Sequence, residues 1–297
     1  LIEGDMALAA AVMKAVNSSL YGLKSRVQSV QQAITYLGMR EVAAITFEMG
    51  LRAAFPPAVE LDPIWQRAAR RGVIMGRLAT QMGQDAWAAH SAGLFEECGK
   101  AVLFRHAPDH YRSMLRACRD DAELVSLELA GFGVSHDALG AALCESWGLG
   151  SAAVASVRHH VQVQVGGEWP EAHPRRAIIA LSVIARALMI EPDTLDDTVA
   201  SVAPLADFDV TLALRCARRV QEQLLEAAAR RLGVSQHRTI DARQELWDDY
   251  LSYLLAGNVL RGQLYPLSVS AERVCQAKRV AQVANELGAS AIAHGST

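Results

Sequence analysis

Apolar residues recur at three- and four-residue spacing along nearly the whole chain, the period of helices that bury one face. An alanine-rich helix runs over residues 8–16 and stops at Asn17-Ser18-Ser19, before a turn at Tyr21-Gly22. Ser29, with Gln32 three residues on, has the capping-box spacing. Val30, Ala33, Ile34 and Leu37 give the next helix its buried face, and Gly38 ends it. Another helix spans residues 40–54 and is stopped by Pro56-Pro57. Asp62-Pro63 predicts a helix start, with Asp as N-cap and Pro at the first helical position. Ile64, Ala68, Met75 and Ala79 lie on one side of that helix.

Residues 86–104 read as an apolar helix interrupted by two carboxylates and a glycine. After Pro108 comes a helix with Arg116, Arg119, Asp120 and Asp121 near its end. Ser135 caps a helix over 136–147, and Ser151 opens one that reaches His159-His160. Residues 161–168 alternate weakly, but Gly166-Gly167 and Pro170 make them a loop. Residues 175–190 form a buried helix. After Pro204 come three more highly charged amphipathic helices, near 209–232, 241–261 and 270–287. The expected fold is all-α.

Composition narrows the function. With 297 residues, 51% hydrophobic and 21% charged, the chain can bury a sizeable core. A net charge of −3 argues against a general nucleic-acid binder. The arginine pairs Arg70-Arg71, Arg175-Arg176, Arg218-Arg219 and Arg230-Arg231 lie far apart and read as solvated helix faces. No apolar run approaches the roughly 18 residues of a membrane span. Five widely spaced cysteines without a Cys-x-x-Cys pair fit reduced thiols in a cytoplasm. A chain opening on Leu1-Ile2-Glu3 is expected to lack its true beginning.

Several motifs in order resemble one family. Asp5-x-x-Leu8 with Asn17-Ser18, then Tyr21-Gly22, then Ser29-x-x-x-Ala33-Ile34-x-x-Leu37-Gly38, then Trp65 and Ala69, are similar to successive segments of the HDOD domain. Gly93-Leu94-Phe95-Glu96-Glu97-Cys98-Gly99-Lys100 stands where the family has Gly-Leu-Leu-His-Asp-Ile-Gly-Lys. Glu128, Gly133, His136, Gly140, Leu143, Trp147 and the His159-His160 pair complete the resemblance, over about residues 1–190. It implies an HDOD-type helical bundle of two packed parts, residues 1–61 and 62–190, with a helical extension over 191–297.

The HDOD domain is similar to the HD and HD-GYP metal-dependent phosphohydrolases. There a histidine, a His-Asp pair and a distant aspartate hold an ion that activates water. By this resemblance the pocket equivalents here are Arg67, Glu96, Glu97, His136, His159 and His160. Arg67 replaces the first histidine, and a guanidinium offers no lone pair. Glu96-Glu97 replaces His-Asp, and the distant aspartate falls near Ser182 or Val183, with no carboxylate in that helix before Glu191. The expectation is therefore no catalytic residue, no bound metal and no cofactor. Two readings of Arg67 stand: it forks onto Glu96 or Glu97 where the ion would sit, or it is simply exposed. Neighbours on a helix point about 100° apart, so one glutamate can face inward while the other does not.

Bland roles are open for other residues: backbone capping for Asn17-Ser18, helix-end bonding for His136, packing for Trp65 and Trp147. Lys100 fails the phosphate-loop pattern because Ala101 holds the hydroxyl position. The resemblance implies a non-enzymatic bacterial signalling module in the cytoplasm. Its partners would be signalling proteins such as receiver, kinase or cyclic-dinucleotide-turnover proteins, with no membrane or nucleic acid. The alternatives are a divergent phosphohydrolase using Glu97, His136 and His159 or His160, and a small-ligand sensor using the emptied pocket.

Overall fold

The computed structural model describes residues 12–17, 27–53, 55, 57–170, 173–231, 238, 240, 242–256, 260–261, 265–266 and 268–289. Asp5, Leu8, Ser18, Ser19, Tyr21-Gly22 and Pro56 lie outside the described residues. The chain forms two compact units, residues 1–237 and 238–297.

In the first unit, α1 (12–16), α2 (Val30–Leu37) and α3 (Met39–Ala53) share a small core of Val12, Val16, Val30, Ala33, Val42 and Ile45. Asn17 ties the end of α1 to the backbone just before α2. Its side chain donates to the Val27 carbonyl at 2.8 Å and accepts the Val27 N–H at 2.7 Å. Ser29 caps α2 by accepting the Gln32 N–H at 3.1 Å. Gln32 returns the bond one residue earlier than expected, to the Gln28 N–H at 2.7 Å.

α4 (Asp62–Gln81) is capped by Leu61 rather than Asp62. Leu61 is anchored in the core, which fixes the start one residue early. Asp62 then occupies the first turn, where a carboxylate favours the helix dipole. Ile64, Ala68, Met75 and Ala79 are all buried. The expected long helix over 86–104 is two: α5 (Ala86–Phe95) and α6 (Cys98–His106), broken at Glu96-Glu97. α4 and α5 pack so closely that a Cβ on Gly93 would lie 2.9 Å from the Gly72 nitrogen.

α7 (Pro108–Ala117) ends before the acidic cluster. Asp120 instead caps α8 (Asp121–Phe132), accepting the Glu123 N–H at 2.9 Å. The expected C-terminal charges of one helix are therefore the N-terminal charges of the next, where they are electrostatically favoured. α9 (His136–Ser146) leads to α10 (Ser151–Gln164), which continues four residues beyond His160. The expected loop there is helix because Val161 and Val163 are buried; the turn comes only at Gly166.

α11 (His173–Ile190) is the buried helix expected from its apolar run. A 3-10 turn, Pro192–Thr194, leads to α12 (Leu195–Val202), and after a second 3-10 turn, Pro204–Ala206, comes α13 (Val210–Arg231). Ile74, Met75 and Leu78 of α4, Ile178, Leu181 and Ile184 of α11, Val199 of α12 and Val220 of α13 share the largest core cluster.

The second unit contains α14 (Arg243–Leu246), a π-helical turn Trp247–Leu251, α15 (Ser252–Ala256) and α16 (Ser268–Glu286). A two-residue antiparallel ladder pairs β1 (Leu260–Arg261) with β2 (Tyr265–Pro266). The fold is all-α apart from this ladder among the described residues. Glu245 of α14 pairs with Lys278 at 2.7 Å and with Arg279 on α16. No helix among the described residues is long and apolar enough to cross a membrane.

Candidate functional site

The stripe of α4 that faces the core reads Ile64, Ala68, Arg71, Met75, Ala79. Four of these are apolar and one is a guanidinium, 5% exposed. Burying such a charge is costly unless it is paired. The break between α5 and α6 supplies the partners. Both Glu96 and Glu97 are buried, at 1% and 2% exposure. Both face inward because they stand at the break between α5 and α6, where Glu97 leaves the helical conformation with φ −104° and ψ 11°.

Arg71 reaches Glu96 at 3.1 Å and Glu97 at 3.2 Å. Arg67, one turn earlier, forks onto Glu97: Nε to Oε2 at 3.0 Å and Nη2 to Oε1 at 2.7 Å. The first of the two sequence readings of Arg67 is thus the observed one, although its side chain keeps 38% exposure. Lys100, in the first turn of α6, bridges Glu97 and Asp121, both at 2.7 Å. On α11 the Ser182 hydroxyl donates to Glu96 at 2.5 Å.

This wiring fixes the charge states. Burial pushes the Glu97 carboxyl up, but Lys100, Arg71 and Arg67 outweigh it and hold it well below the ordinary carboxylate range. Burial lowers the Lys100 ammonium, but Glu97 and Asp121 outweigh it and raise it above an ordinary lysine. Burial raises the Asp121 carboxyl, and Lys100 more than offsets this, leaving it lowered.

Beside this lattice lies a second group. Glu128 of α8 accepts the Tyr111 hydroxyl at 2.5 Å, the His136 backbone N–H at 2.7 Å and His136 Nδ1 at 2.8 Å. His136 is therefore held at both backbone and ring. His160 of α10 gives its Nδ1 to the Val157 carbonyl at 2.7 Å, and burial keeps its imidazole pKa low. The two rings lie 5.4 Å apart, centroid to centroid. His159 is half-buried and enters none of these contacts. Gly99 sets the spacing of α6 and α9: a Cβ there would fall 2.0 Å from the His136 carbonyl oxygen.

An ion of the HD kind needs lone pairs where this chain has Arg67, and a carboxylate where it has Ser182. Glu96 and Glu97 are already engaged by Arg67, Arg71, Lys100 and Ser182. The residues present do not fit that ion at those positions.

Sequence reasoning misses four members of the site. Arg71 falls on the apolar stripe of α4, which signals burial, yet the Arg70-Arg71 pair hides it. Lys100 follows Gly99 inside an apolar segment. Asp121 reads as part of the wrong helix. Tyr111 gives no local signal, because its partner Glu128 is 17 residues away.

The HDOD domain family matches residues 1–163, more than half of the chain. The chain belongs to the HDOD family. A Treponema pallidum protein described only as uncharacterized is 28% identical over 165 residues, 54% of this chain and 32% of that protein. Three solved HDOD-like folds resemble it. An HDOD domain protein of unknown function from Geobacter sulfurreducens has TM-score 0.59 and 18% identity, covering 77% of this chain and 82% of that one. A candidate signal transduction protein from Marinobacter aquaeolei has TM-score 0.59 and 25% identity, covering 79% and 54%. A candidate phosphohydrolase from Shewanella amazonensis has TM-score 0.58 and 20% identity, covering 76% and 83%.

The segment beyond the HDOD core has a second likeness. Residues 204–297 match the arginosuccinate synthase N-terminal HUP domain. Argininosuccinate synthase of Sulfolobus acidocaldarius is 40% identical over 73 residues, 25% of this chain and 19% of that enzyme. The chain thus spans about a third of the Treponema relative and about a fifth of this synthase.

Proposed function

We propose that the HDOD part of this chain is a non-enzymatic regulatory module of bacterial signal transduction that acts by recognising a protein partner. The observation that carries this reading is the substitution of the HD ligand positions by an ion-pair lattice. Arg67 and Arg71 occupy the face of α4 that would hold the ion, and Glu96-Glu97 serves them instead of a metal. The name of the Marinobacter aquaeolei neighbour, at 25% identity, supports the same direction. A buried lattice of this kind rigidifies a bundle, and the helical exterior is then free to act as a docking surface.

The test has two arms. The purified chain is assayed with p-nitrophenyl phosphate and bis-p-nitrophenyl phosphate in magnesium, manganese and zinc. It is also used as bait in a bacterial lysate, with captured proteins identified by mass spectrometry. The reading expects no turnover above buffer and enrichment of signalling proteins. Turnover that Glu97→Gln or His136→Gln abolishes overturns it in favour of a phosphohydrolase.

A further inference from the structure

His136 and His160 are both almost fully buried, at 0% and 2% exposure. Each has its Nδ1 committed to an acceptor, the Glu128 carboxylate and the Val157 carbonyl. An acceptor-only partner places a proton on Nδ1, and in the neutral ring Nε2 then carries the lone pair. Both Nε2 atoms are buried without a hydrogen-bond partner. Two orphaned lone pairs in one interior are costly unless something is meant to meet them.

Asp121 completes the arrangement. One donor atom from each of Asp121, His136 and His160 lies within 4.8 Å of the others. Tetrahedral ligands at about 2.1 Å from an ion stand roughly 3.4 Å apart, so closure takes shifts of no more than about an ångström each. Lys100 holds Oδ1 of Asp121, and the second carboxylate oxygen remains for an ion. The Asp121 side chain is 36% exposed. It lines a cavity of about 510 Å³ together with Arg67, Arg71, Glu97, Gln164 and Arg186, so one ligand of the site faces open space.

Charge points the same way. The buried group sets four carboxylates (Glu96, Glu97, Asp121, Glu128) against three cations (Arg67, Arg71, Lys100). Leaving the two imidazoles aside, the group carries one negative charge in excess. Metal-binding histidines characteristically give their other ring N–H to a carboxylate or carbonyl, as both do here.

We propose that Asp121, His136 and His160 form a binding site for a divalent transition-metal ion of the zinc class. It keeps two histidines of the HD-type pocket, His136 and His160, and adds Asp121, in place of the positions that now hold Arg67, Glu96-Glu97 and Ser182. Two imidazoles and one carboxylate suit zinc or cobalt far better than magnesium or calcium, which prefer all-oxygen surroundings.

The experiment uses the full chain stripped with chelator and titrated with cobalt(II), read by visible absorption, and with zinc, read by elemental analysis. The expected result is one ion per chain, with binding weakened at least tenfold in Asp121→Asn and in His160→Gln, and unchanged in His159→Gln. Circular dichroism confirms that each variant is folded. Asp121→Asn alone decides the matter if His160→Gln does not fold, because position 121 is partly exposed. The site is refuted if the folded chain takes up no ion, or if both variants bind as the parent does, which would put the ion elsewhere. Ion uptake is measured without any partner, so its failure leaves the regulatory reading standing, and failure of partner capture leaves the site standing.

Discussion

The two sides of the buried pocket solve opposite problems. On one, Arg67, Arg71 and Lys100 meet Glu97, so each charge has a countercharge within 3.2 Å. On the other, Glu128 orients an imidazole, and two Nε2 atoms end without a partner. The first side is balanced in charge, although Arg71 Nε and Nη1 there also lack a hydrogen bond. The second is pre-organised but unfinished. In one helical bundle, stability and receptivity are thus assigned to neighbouring groups, with Asp121 and Lys100 as the joint between them.

The largest expected effect comes from breaking the balanced side at its hub. Glu97→Ala leaves three cations without their shared carboxylate and should cost about 3–5 kcal/mol in urea unfolding. A loss below about 1 kcal/mol would mean that the lattice relaxes into water, and the contrast between the sides would collapse. Next is Tyr111→Phe on the other side. It removes one of three donors to Glu128 and should cost roughly 1.5–3 kcal/mol, the range for a hydrogen bond to a charged group. An unchanged midpoint would show that the His136 bonds alone hold Glu128.

Arg67→Ala should cost less, about 1 kcal/mol, because the Arg67 side chain is 38% exposed and solvent screens its pairing. Arg67→Lys should recover only part of this, since an ammonium cannot fork onto both oxygens.

The smallest effect is a pH slope. Burial lowers the folded-state pKa of His160, so the unfolded chain takes up the proton first as pH falls through about 6.5. Stability contributed by the neutral ring is therefore present above that pH and declines on acidification. Glu97, also lowered, adds a second decline that starts only below the ordinary carboxylate value of about 4.3. Chemical denaturation at steps between about pH 8 and 3 should show both windows. His160→Gln should flatten the first and spare the second.

The sequence makes the helical bundle plain because its apolar period is regular, and it marks Arg67 and Glu97 because they stand in motif positions. It does not reveal that both glutamates are buried, since neither is a helix breaker and the nearby Gly99 lies inside α6. Asp121 reads as part of the helix before it, because charges at a helix end look alike whether they close one helix or open the next. The region after Pro204 is legible only as a change to more charged helices; that change coincides with the start of the synthase-like match at residue 204.

The hydrogen bond from Ser182 to Glu96 spans 86 residues, and it sets an order of events during folding. The Arg67–Glu97 fork spans 30 residues and joins helices within one hairpin-like run, so it can close early. Contacts of long sequence separation are made late, after the entropy of loop closure has been overcome. Arg71 and Glu96 leave the ribosome before α11 is made, so their pairing is expected to precede the Ser182 bond. Ser182 closes over that pair as α11 docks, making it a late-forming latch whose removal should speed unfolding while leaving the folding rate nearly unchanged.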